Sequence, residues 1–471
     1  MKGVQKLGLL FLAALMLAGV AACDRAGGSA RQGRGAQARW PGPEPQDLGG
    51  LVFRIADWSN DRFFPSTGEI GTPIGDAKLA AMESIQEDFN ITFEIVVVSA
   101  PDMIDRVSPA VLAGDMFAHL IVTTQGRFGS LLGAGLMGDL SAIPTLDLNN
   151  GLWAQSVHEI TGIGGKIRAT AGIFDHWDFI WGLFFQKSLW NDLNLPDPYE
   201  MVRRGEWTWD RFQEFSVIAR QDLDGDGVIS NPNDRWGLAA NADDLLRSWY
   251  TSMGGLYWDF DPLTGRLFTP AATTDGIAIA RWMRNFTEMP GGFYREGGQG
   301  ANTRNEMFMG RRALFFVETS RVLHPIRAMS DDWGMLPWPK RNEQQQSYLN
   351  NVNHNAPLIG ITITNDQLEA TGIIMEAMAA RFARVRELQW EELEDILLRS
   401  EDDIEMMREY INPNRVYDIG HIMFRAGNGF NIPHARVTEY VTFHSISDFA
   451  SAMEASRHAI ELAANEFFFG D

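Results

Sequence analysis

The sequence predicts an α/β protein of two lobes, each built on a mainly parallel sheet with flanking helices. Apolar, β-branched runs alternate with segments of helical periodicity in the order β-α-β-α-β over residues 51–123, which favours a parallel sheet covered by helices on both faces. A second block with its own strands and helices occupies residues 179–339. About 420 residues follow residue 50, enough for two or more domains.

The first lobe begins with a strand at 51–57 (LVFRIAD) and a helix at 75–90. Strands at 91–98 and 119–123 follow, with a helix at 101–113 between them. Ligands of such sheets bind at the carboxyl ends of the strands, so the residues after the first and third strands are candidates for a binding site. These residues are Trp58, Asn60, Thr124 and Gln125. Trp58 would equally suit a position in the core or at its rim.

The second lobe is predicted to have three strands and two long helices. Its strands lie at 179–185, 313–317 and 333–336, and its helices at 209–220 and 274–286. A further strand at 357–364 and charged amphipathic helices through Ile411 indicate that the chain then returns to the first lobe. The predicted divisions are a signal peptide at 1–22, a tether at 23–49, a first lobe at 50–175 plus 350–420, and a second lobe at 176–349 plus 421–471.

The N-terminus has the three parts of an export signal. Lys2 and Lys6 precede an apolar run at 7–20, and small residues lead to Cys23, the order typical of a signal peptide and too short to span a bilayer. The ending Val-Ala-Ala-Cys resembles the lipobox of bacterial lipoproteins, which implies cleavage before Cys23 and a lipid on its sulfur. Cys23 is the sole cysteine, so the mature chain can form no internal disulfide; the alternative is a chance buried cysteine. The stretch 24–50 is rich in Gly, Arg, Gln and Pro, typical of a disordered tether.

Charge and motifs argue against several other classes of function. A formal net charge of −21 repels nucleic acid phosphates. The sequence has no HExxH and no GxSxG motif, and residues 162–167 lack the spacing of a phosphate-binding loop. Paired carboxylates for glycoside hydrolysis stay open, because their separation is a three-dimensional property.

Four stretches carry a resemblance to a known family. They are 165–167 (GKI) with 182–190 (GLFFQKSLW), 195–199 (LPDPY) with 207–212 (WTWDRF), 308–315 (FMGRRALF), and 333–339 (WGMLPWP). In the same order they resemble passages of the extracellular solute-binding proteins of ABC importers, in the branch that contains maltose-binding protein. Where many relatives place an aromatic residue after the third stretch, this chain has Glu318-Thr319-Ser320-Arg321.

The resemblance implies a two-lobed fold like that of type II periplasmic binding proteins, with the ligand cleft between the lobes. It implies a monomeric, lipid-anchored protein outside the cytoplasmic membrane, without enzymatic activity and with no required cofactor. Such a protein captures a sugar or oligosaccharide by hinge closure and delivers it to the permease subunits of an ABC importer. Two alternatives stay open: a surface-anchored glycoside-active enzyme, and the same scaffold binding a peptide or polyamine.

Sugar binding needs aromatic faces together with polar groups for the hydroxyls. Of the 15 tryptophans, those beside polar neighbours are the candidates, although any one of them is as suited to a core. Glu318 and Arg321 occupy the turn that faces the ligand in the family, or form an exposed pair. Asn353 lies in an Asn-rich run that crosses between the lobes or forms an ordinary turn. The aromatic candidates are Trp58, Trp177 with Asp178, Trp249 and Trp258.

Residues 222–234 (DLDGDGVISNPND) have the spacing of the first half of a calcium loop. Oxygen donors stand at loop positions 1, 3, 5 and 9, and glycine stands at position 6. Position 12 is Asn233, where a bidentate Glu is expected, and Asp234 follows. The pattern predicts a structural Ca²⁺ site, against the alternative of a metal-free turn. Its ligands would be Asp222, Asp224, Asp226, Ser230 and Asp234.

Overall fold

Two β-sheets organise the chain, and helices cover each of them. The structure, a computed structural model, describes residues 41–296, 303–427 and 429–470. The predicted α/β class is confirmed. Cys23 and the predicted signal peptide lie outside the described residues.

Fifteen strands are present in the described chain. In chain order they are β1 (Leu51–Asp57), β2 (Ile91–Val97), β3 (Leu120–Thr124), β4 (Gly162–Ile163), β5 (Lys166–Ile167), β6 (Trp181–Gln186), β7 (Trp236–Asn241), β8 (Asp259–Phe260), β9 (Leu267–Phe268), β10 (Phe293–Glu296), β11 (Ala313–Thr319), β12 (Trp333–Leu336), β13 (Asn350–Asn351), β14 (Pro357–Gly360) and β15 (Arg415–Val416).

The helices fall between these strands and after them. They are α1 (Pro73–Phe89), α2 (Met103–Ala113), α3 (Gln125–Gly133), α4 (Gln155–Thr161), α5 (Lys187–Asp192), α6 (Pro198–Arg203), α7 (Trp209–Ala219), α8 (Ala242–Ser252), α9 (Thr274–Thr287), α10 (Thr303–Met309), α11 (Leu323–Ile326), α12 (Leu368–Arg381), α13 (Ala383–Glu392), α14 (Glu401–Glu405), α15 (Ile419–Ala426), α16 (Ile432–Val441) and α17 (Phe449–Phe469). Short π-helical turns at Leu393–Leu397 and Met406–Ile411 and a 3₁₀ turn at Trp177–Phe179 adjoin them. No helix in the described part of the chain combines the length and apolarity that a bilayer crossing needs.

The smaller sheet has the strand order β14-β3-β1-β2. Strands β1, β2 and β3 are parallel, while β14 runs antiparallel to β3. Helix α1 begins at Pro73, because Thr72 caps its first turn and proline fits the first helical position. It ends before Asn90, which takes the left-handed conformation with φ of 48°. Residues 46–50 pair with the end of α1 through bonds such as Leu48 N to Phe89 O at 2.9 Å, which holds this segment against the smaller sheet's helix.

The larger sheet has the strand order β10-β7-β11-β6-β12. Strands β10, β7 and β11 are parallel, and β6 runs antiparallel to both of its neighbours. Its core is rich in aromatic residues: Phe212 stacks on Phe315 at 4.3 Å between ring centroids, and Trp209 stacks on Trp249 at 4.7 Å. The sheet is therefore mainly parallel, as predicted, with β6 alone running against the other four strands.

The two sheets are joined where the chain crosses between them. Asn353 N donates to Phe179 O at 2.7 Å, Val352 N donates to Val416 O at 3.0 Å, and Ile180 pairs with Val352. Strands β13 and β15 lie parallel at the same place. These backbone bonds hold the crossing segments side by side.

Helix α15 packs closely against α3. A Cβ added to Gly129 would lie 2.0 Å from the carbonyl oxygen of Ile422, and one added to Gly133 would lie 1.9 Å from that of Ala426. Glycine is therefore required at both positions, since any side chain would push the helices apart. Ile422 belongs to the core of the smaller sheet and Met423 to that of the larger sheet, so α15 is buried against both. The assignment of chain segments to lobes stays a prediction.

Candidate functional site

Two adjoining cavities open between the two sheets. Their volumes are about 810 Å³ and about 500 Å³, which lie within the usual range of small-molecule sites. Their walls come from residues 58–78 and 174–179, from the turn after β11, and from residues 388–396. Both cavities are lined by Glu69, Asp178, Arg321 and Gln389. We call the two together the cleft.

The turn after β1 presents an indole to the smaller cavity. Asp57, the last residue of β1, is fully buried, and its carboxylate accepts from Arg62 Nε at 2.9 Å and from Ser59 N at 3.0 Å. Burial raises the pKa of Asp57, and the Arg62 guanidinium opposes that rise. Arg62 also lies over the Trp58 ring, 5.0 Å from its centroid. The ion pair thus fixes the turn, and Trp58 Nε1 has no partner in the described chain.

The segment before β6 supplies the second indole and a carboxylate. Trp177 is 4% exposed and lines the larger cavity beside His324. Asp178 and Arg321 line both cavities, and among the described residues neither forms a side-chain ion pair or a hydrogen bond to another side chain. Burial raises the pKa of Asp178 to about 6, although Arg321 and Arg62 act to lower it. Both groups are therefore available to a ligand.

A layer of buried polar groups forms the floor below the smaller cavity. The Asp175 carboxylate accepts from Arg415 Nη1 at 2.9 Å and from Trp390 Nε1. Burial acts to raise the pKa of Asp175, but the bond from Trp390 and the Arg415 charge bring it below its ordinary value. Burial lowers the pKa of His176 to about 3, so this ring is neutral, and its Nδ1 lies 2.8 Å from Tyr417 Oη. The polar groups of the floor are therefore bonded to one another.

Helix α13 and the turn after it form a wall that the sequence analysis missed. Gln389 lines both cavities, and its buried Oε1 has no donor in the described chain. Glu392 lines the larger cavity. Nothing in the local sequence singles them out, because they lie in a charged helix that only the return of the chain brings to the cleft. Arg62 and Glu69 were also missed, although Arg62 could have been found from its place five residues after β1.

Two of the aromatic candidates lie away from the cleft. Trp249 is fully buried in the core of the larger sheet, against Trp209. Trp258 is 1% exposed, and its Nε1 donates to Phe430 O at 2.8 Å. Asn60 is exposed and lines neither cavity. The structure thus brings Trp58, Trp177, Asp178 and Arg321 together, but not these three residues.

The remaining candidates lie behind the cleft. Thr124 Oγ1 accepts from Arg127 N at 3.3 Å and caps α3. Gln125 is fully buried, and its Nε2 donates to the backbone oxygen of Asn353 at 2.9 Å, so this side chain ties the start of α3 to the crossing segment. Glu318 pairs with Arg304 rather than with Arg321.

The predicted calcium loop gathers three carboxylates. One oxygen each from Asp222, Asp224 and Asp226 lie within 4.8 Å of one another, and ligands of one Ca²⁺ at 2.3–2.6 Å lie up to about 5 Å apart. Gly227, at position 6, has φ of +87°, a conformation that favours glycine. Asp234 is not part of this group, because its carboxylate accepts from three backbone N–H groups, among them Ser230 N at 3.1 Å.

Replacing Asp178 by asparagine is expected to raise the free energy of unfolding at neutral pH by about 1–2 kcal/mol. The pKa of about 6 lies above the ordinary 3.8, so folding favours the protonated form. The stability that this group contributes is complete below pH 3.8 and is lost as the pH rises through 6. Urea unfolding at about pH 4 and about pH 7.5 measures the effect; the same difference between the two proteins at both pH values would contradict it.

The sequence over residues 74–308 matches the family model described as bacterial extracellular solute-binding protein. The chain belongs to this family. This match confirms the family that the sequence motifs predicted for this solute-binding protein. A comparison with the curated proteins finds no match.

Solved structures resemble this solute-binding protein over most of its length. UspC of M. tuberculosis is 11% identical, with a TM-score of 0.59, covering 88% of this chain and 100% of its own. The cyclic alpha-maltosyl-1,6-maltose binding protein of Arthrobacter globiformis is 12% identical, with a TM-score of 0.59 and coverage of 89% and 100%. The GacH receptor of Streptomyces glaucescens, solved unliganded and with acarbose, is 14% identical, with a TM-score of 0.56 and coverage of 89% and 98%. These likenesses establish the fold and confirm the predicted two-lobed, type II architecture.

Proposed function

We propose that this solute-binding protein captures a sugar or an oligosaccharide in the cleft and hands it to the permease of an ABC importer. One observation carries the proposal: an indole, Trp177, lines a cavity of about 810 Å³ together with an unpaired carboxylate and an unpaired guanidinium, Asp178 and Arg321. An aromatic face suits the C–H side of a sugar ring, while the charged groups suit its hydroxyls. Proteins of similar structure include binding proteins for maltose-based sugars, which supports the same class of solute.

The proposed mechanism is closure of the cleft about the crossing segments. Arg321 comes from the larger sheet and Trp58 from the smaller one, so a bound solute would contact both sides and favour the closed state. Cys23, with a lipid on its sulfur, would hold the protein at the outer face of the membrane. The permease would then receive the closed form.

Trp fluorescence separates a carrier from an enzyme. We expect a saccharide from a thermal-shift panel to change the emission saturably, because Trp58 and Trp177 line the cleft. Mass analysis should then recover that saccharide intact. Release of shorter products would favour the glycoside-active alternative, and saturable binding of peptides or polyamines without saccharides would favour a non-sugar solute.

We also propose that the loop 222–227 holds a structural Ca²⁺ ion. The three converging carboxylates and the left-handed Gly227 support it. Calcium at about 100 times its dissociation constant adds about 2.7 kcal/mol to the stability of the folded state, which we expect to raise the Tm by several degrees over a sample in EDTA. Asp224→Asn should abolish the rise. An equal Tm in calcium and in EDTA would contradict the proposal, and an equal rise with Mg²⁺ would contradict its selectivity.

A further inference from the structure

Carboxylates outnumber cationic groups along the larger cavity of the cleft. Its cationic or titratable basic lining residues are Arg321 and His324. Its acidic lining residues are Glu69, Asp178, Glu391, Glu392 and Asp395. Three of the five acids lie on the wall made by α13 and the following turn, at residues 391–395.

Some of these acids are already compensated. Glu69 Oε1 accepts from Lys78 Nζ at 2.7 Å, and Glu391 Oε1 accepts from Arg384 Nη1 at 2.9 Å. Asp395 also has an interaction partner. Glu392 is half-buried and has no hydrogen-bond or ion-pair partner among the described residues. A half-buried carboxylate without a partner has lost part of its hydration, and no protein group replaces the lost hydrogen bonds. A cationic group on a ligand would therefore stabilise it.

Two further groups point to a ligand at the same wall. Gln389 Oε1 is buried and has no donor. Trp177 is 4% exposed, and no hydrogen bond from its indole N–H is present in the described chain. An indole face also attracts cations, by up to about 2 kcal/mol when the contact is desolvated. The cavity therefore combines an unused amide oxygen and an aromatic face with two carboxylates that have no ion-pair partner among the residues described, Asp178 and Glu392, against one guanidinium, Arg321.

We propose that the larger cavity recognises a cationic group on the solute, so that the solute is an aminated saccharide. This inference rests on the proposed function and narrows its solute class. The ammonium group would lie between Glu392, Gln389 Oε1 and Asp178, while the ring contacts Trp177. A neutral sugar would leave Glu392 without a counter-charge.

Three β-1,4-linked oligosaccharides of equal length test the inference by isothermal titration calorimetry: one of glucosamine, one of N-acetylglucosamine and one of glucose. We expect the glucosamine oligomer to bind at least about tenfold more tightly than the other two at low salt. The advantage should shrink as NaCl is raised, since salt screens charge pairs at the cleft mouth. Spermidine is included as a cation without a sugar ring.

A pair of variants locates the effect. Glu392→Gln should lower the affinity for the glucosamine oligomer by about tenfold. Glu409→Gln is the matched control, because Glu409 is exposed and lines neither cavity, and its affinity should equal that of the unmodified protein.

Each other result has a defined meaning. Tighter or equal binding of a neutral or acetylated oligomer would overturn the inference and leave the proposed function standing. Binding of spermidine without any saccharide would overturn the sugar function and with it the aminated-saccharide class. Binding of no probe would overturn the inference, and the thermal-shift panel would then decide the proposed function separately.

Discussion

Replacing Trp177 by leucine is expected to lower the affinity for the bound saccharide at least about tenfold. Trp177 lines the larger cavity and is 4% exposed, so its indole is already fixed in place and loses little freedom when a ring contacts it. Central, well-packed aromatic residues of this kind carry a large share of binding free energy. Leucine keeps an apolar side chain against the neighbouring core but removes the flat face. Calorimetric titration measures the loss.

A matched variant separates binding from folding. Trp282→Leu removes an indole that packs against the core of the larger sheet, 5.9 Å from Trp249 between ring centroids. Trp282 lines neither cavity. It should leave the saccharide affinity unchanged, while urea unfolding reports how much stability each substitution costs. An affinity of the Trp177→Leu protein within twofold of the unmodified value would rule out Trp177 as the sugar platform.

Replacing Trp249 by alanine is expected to lower the free energy of unfolding by about 4 kcal/mol. Trp249 is fully buried, stacks on Trp209, and packs edge-on against Phe286 at 5.2 Å between ring centroids. Alanine would leave a cavity among large rigid rings, and these cannot collapse to fill it.

Chemical denaturation of the two proteins measures this loss. Trp249→Phe serves as the control, because it keeps an aromatic ring and should cost less than half as much. Affinity for the saccharide should be unchanged in the folded fraction of both variants. A stability loss below about 1 kcal/mol, or a loss of affinity in a stable variant, would show that Trp249 is not a core residue.

The sheets were largely predictable from local pattern. The strand at Leu51–Asp57 and the strand at Trp333–Leu336 match their predicted bounds, and the helix at Trp209–Ala219 differs by one residue. These elements can be predicted from local sequence, because side-chain periodicity and capping residues act within a few positions. The antiparallel direction of β6 was not predictable, since β6 pairs with strands that come about 130 and 150 residues later.

The candidate site was only partly predictable. Trp58 and Trp249 both have polar neighbours in sequence, yet the first lines a cavity and the second lies in a core. Local sequence does not separate these cases, because burial depends on which distant helix covers the residue. For the same reason the roles of Gln389 and Glu392 were not predictable, because the chain brings them to the cleft only after it has crossed both sheets.

Helix α15 limits how far the cleft can open. Its contact with α3 leaves no space for a side chain at Gly129 or Gly133. On its other side Ile419 and Met423, which are 3% and 0% exposed, belong to the core of the larger sheet. Wide opening of the cleft would expose these apolar side chains to water, at a free-energy cost of about 25 cal/mol for each Å² exposed. An open state that pulled α15 away from either core would therefore be costly, so we expect only movements of the two sheets that keep this helix packed.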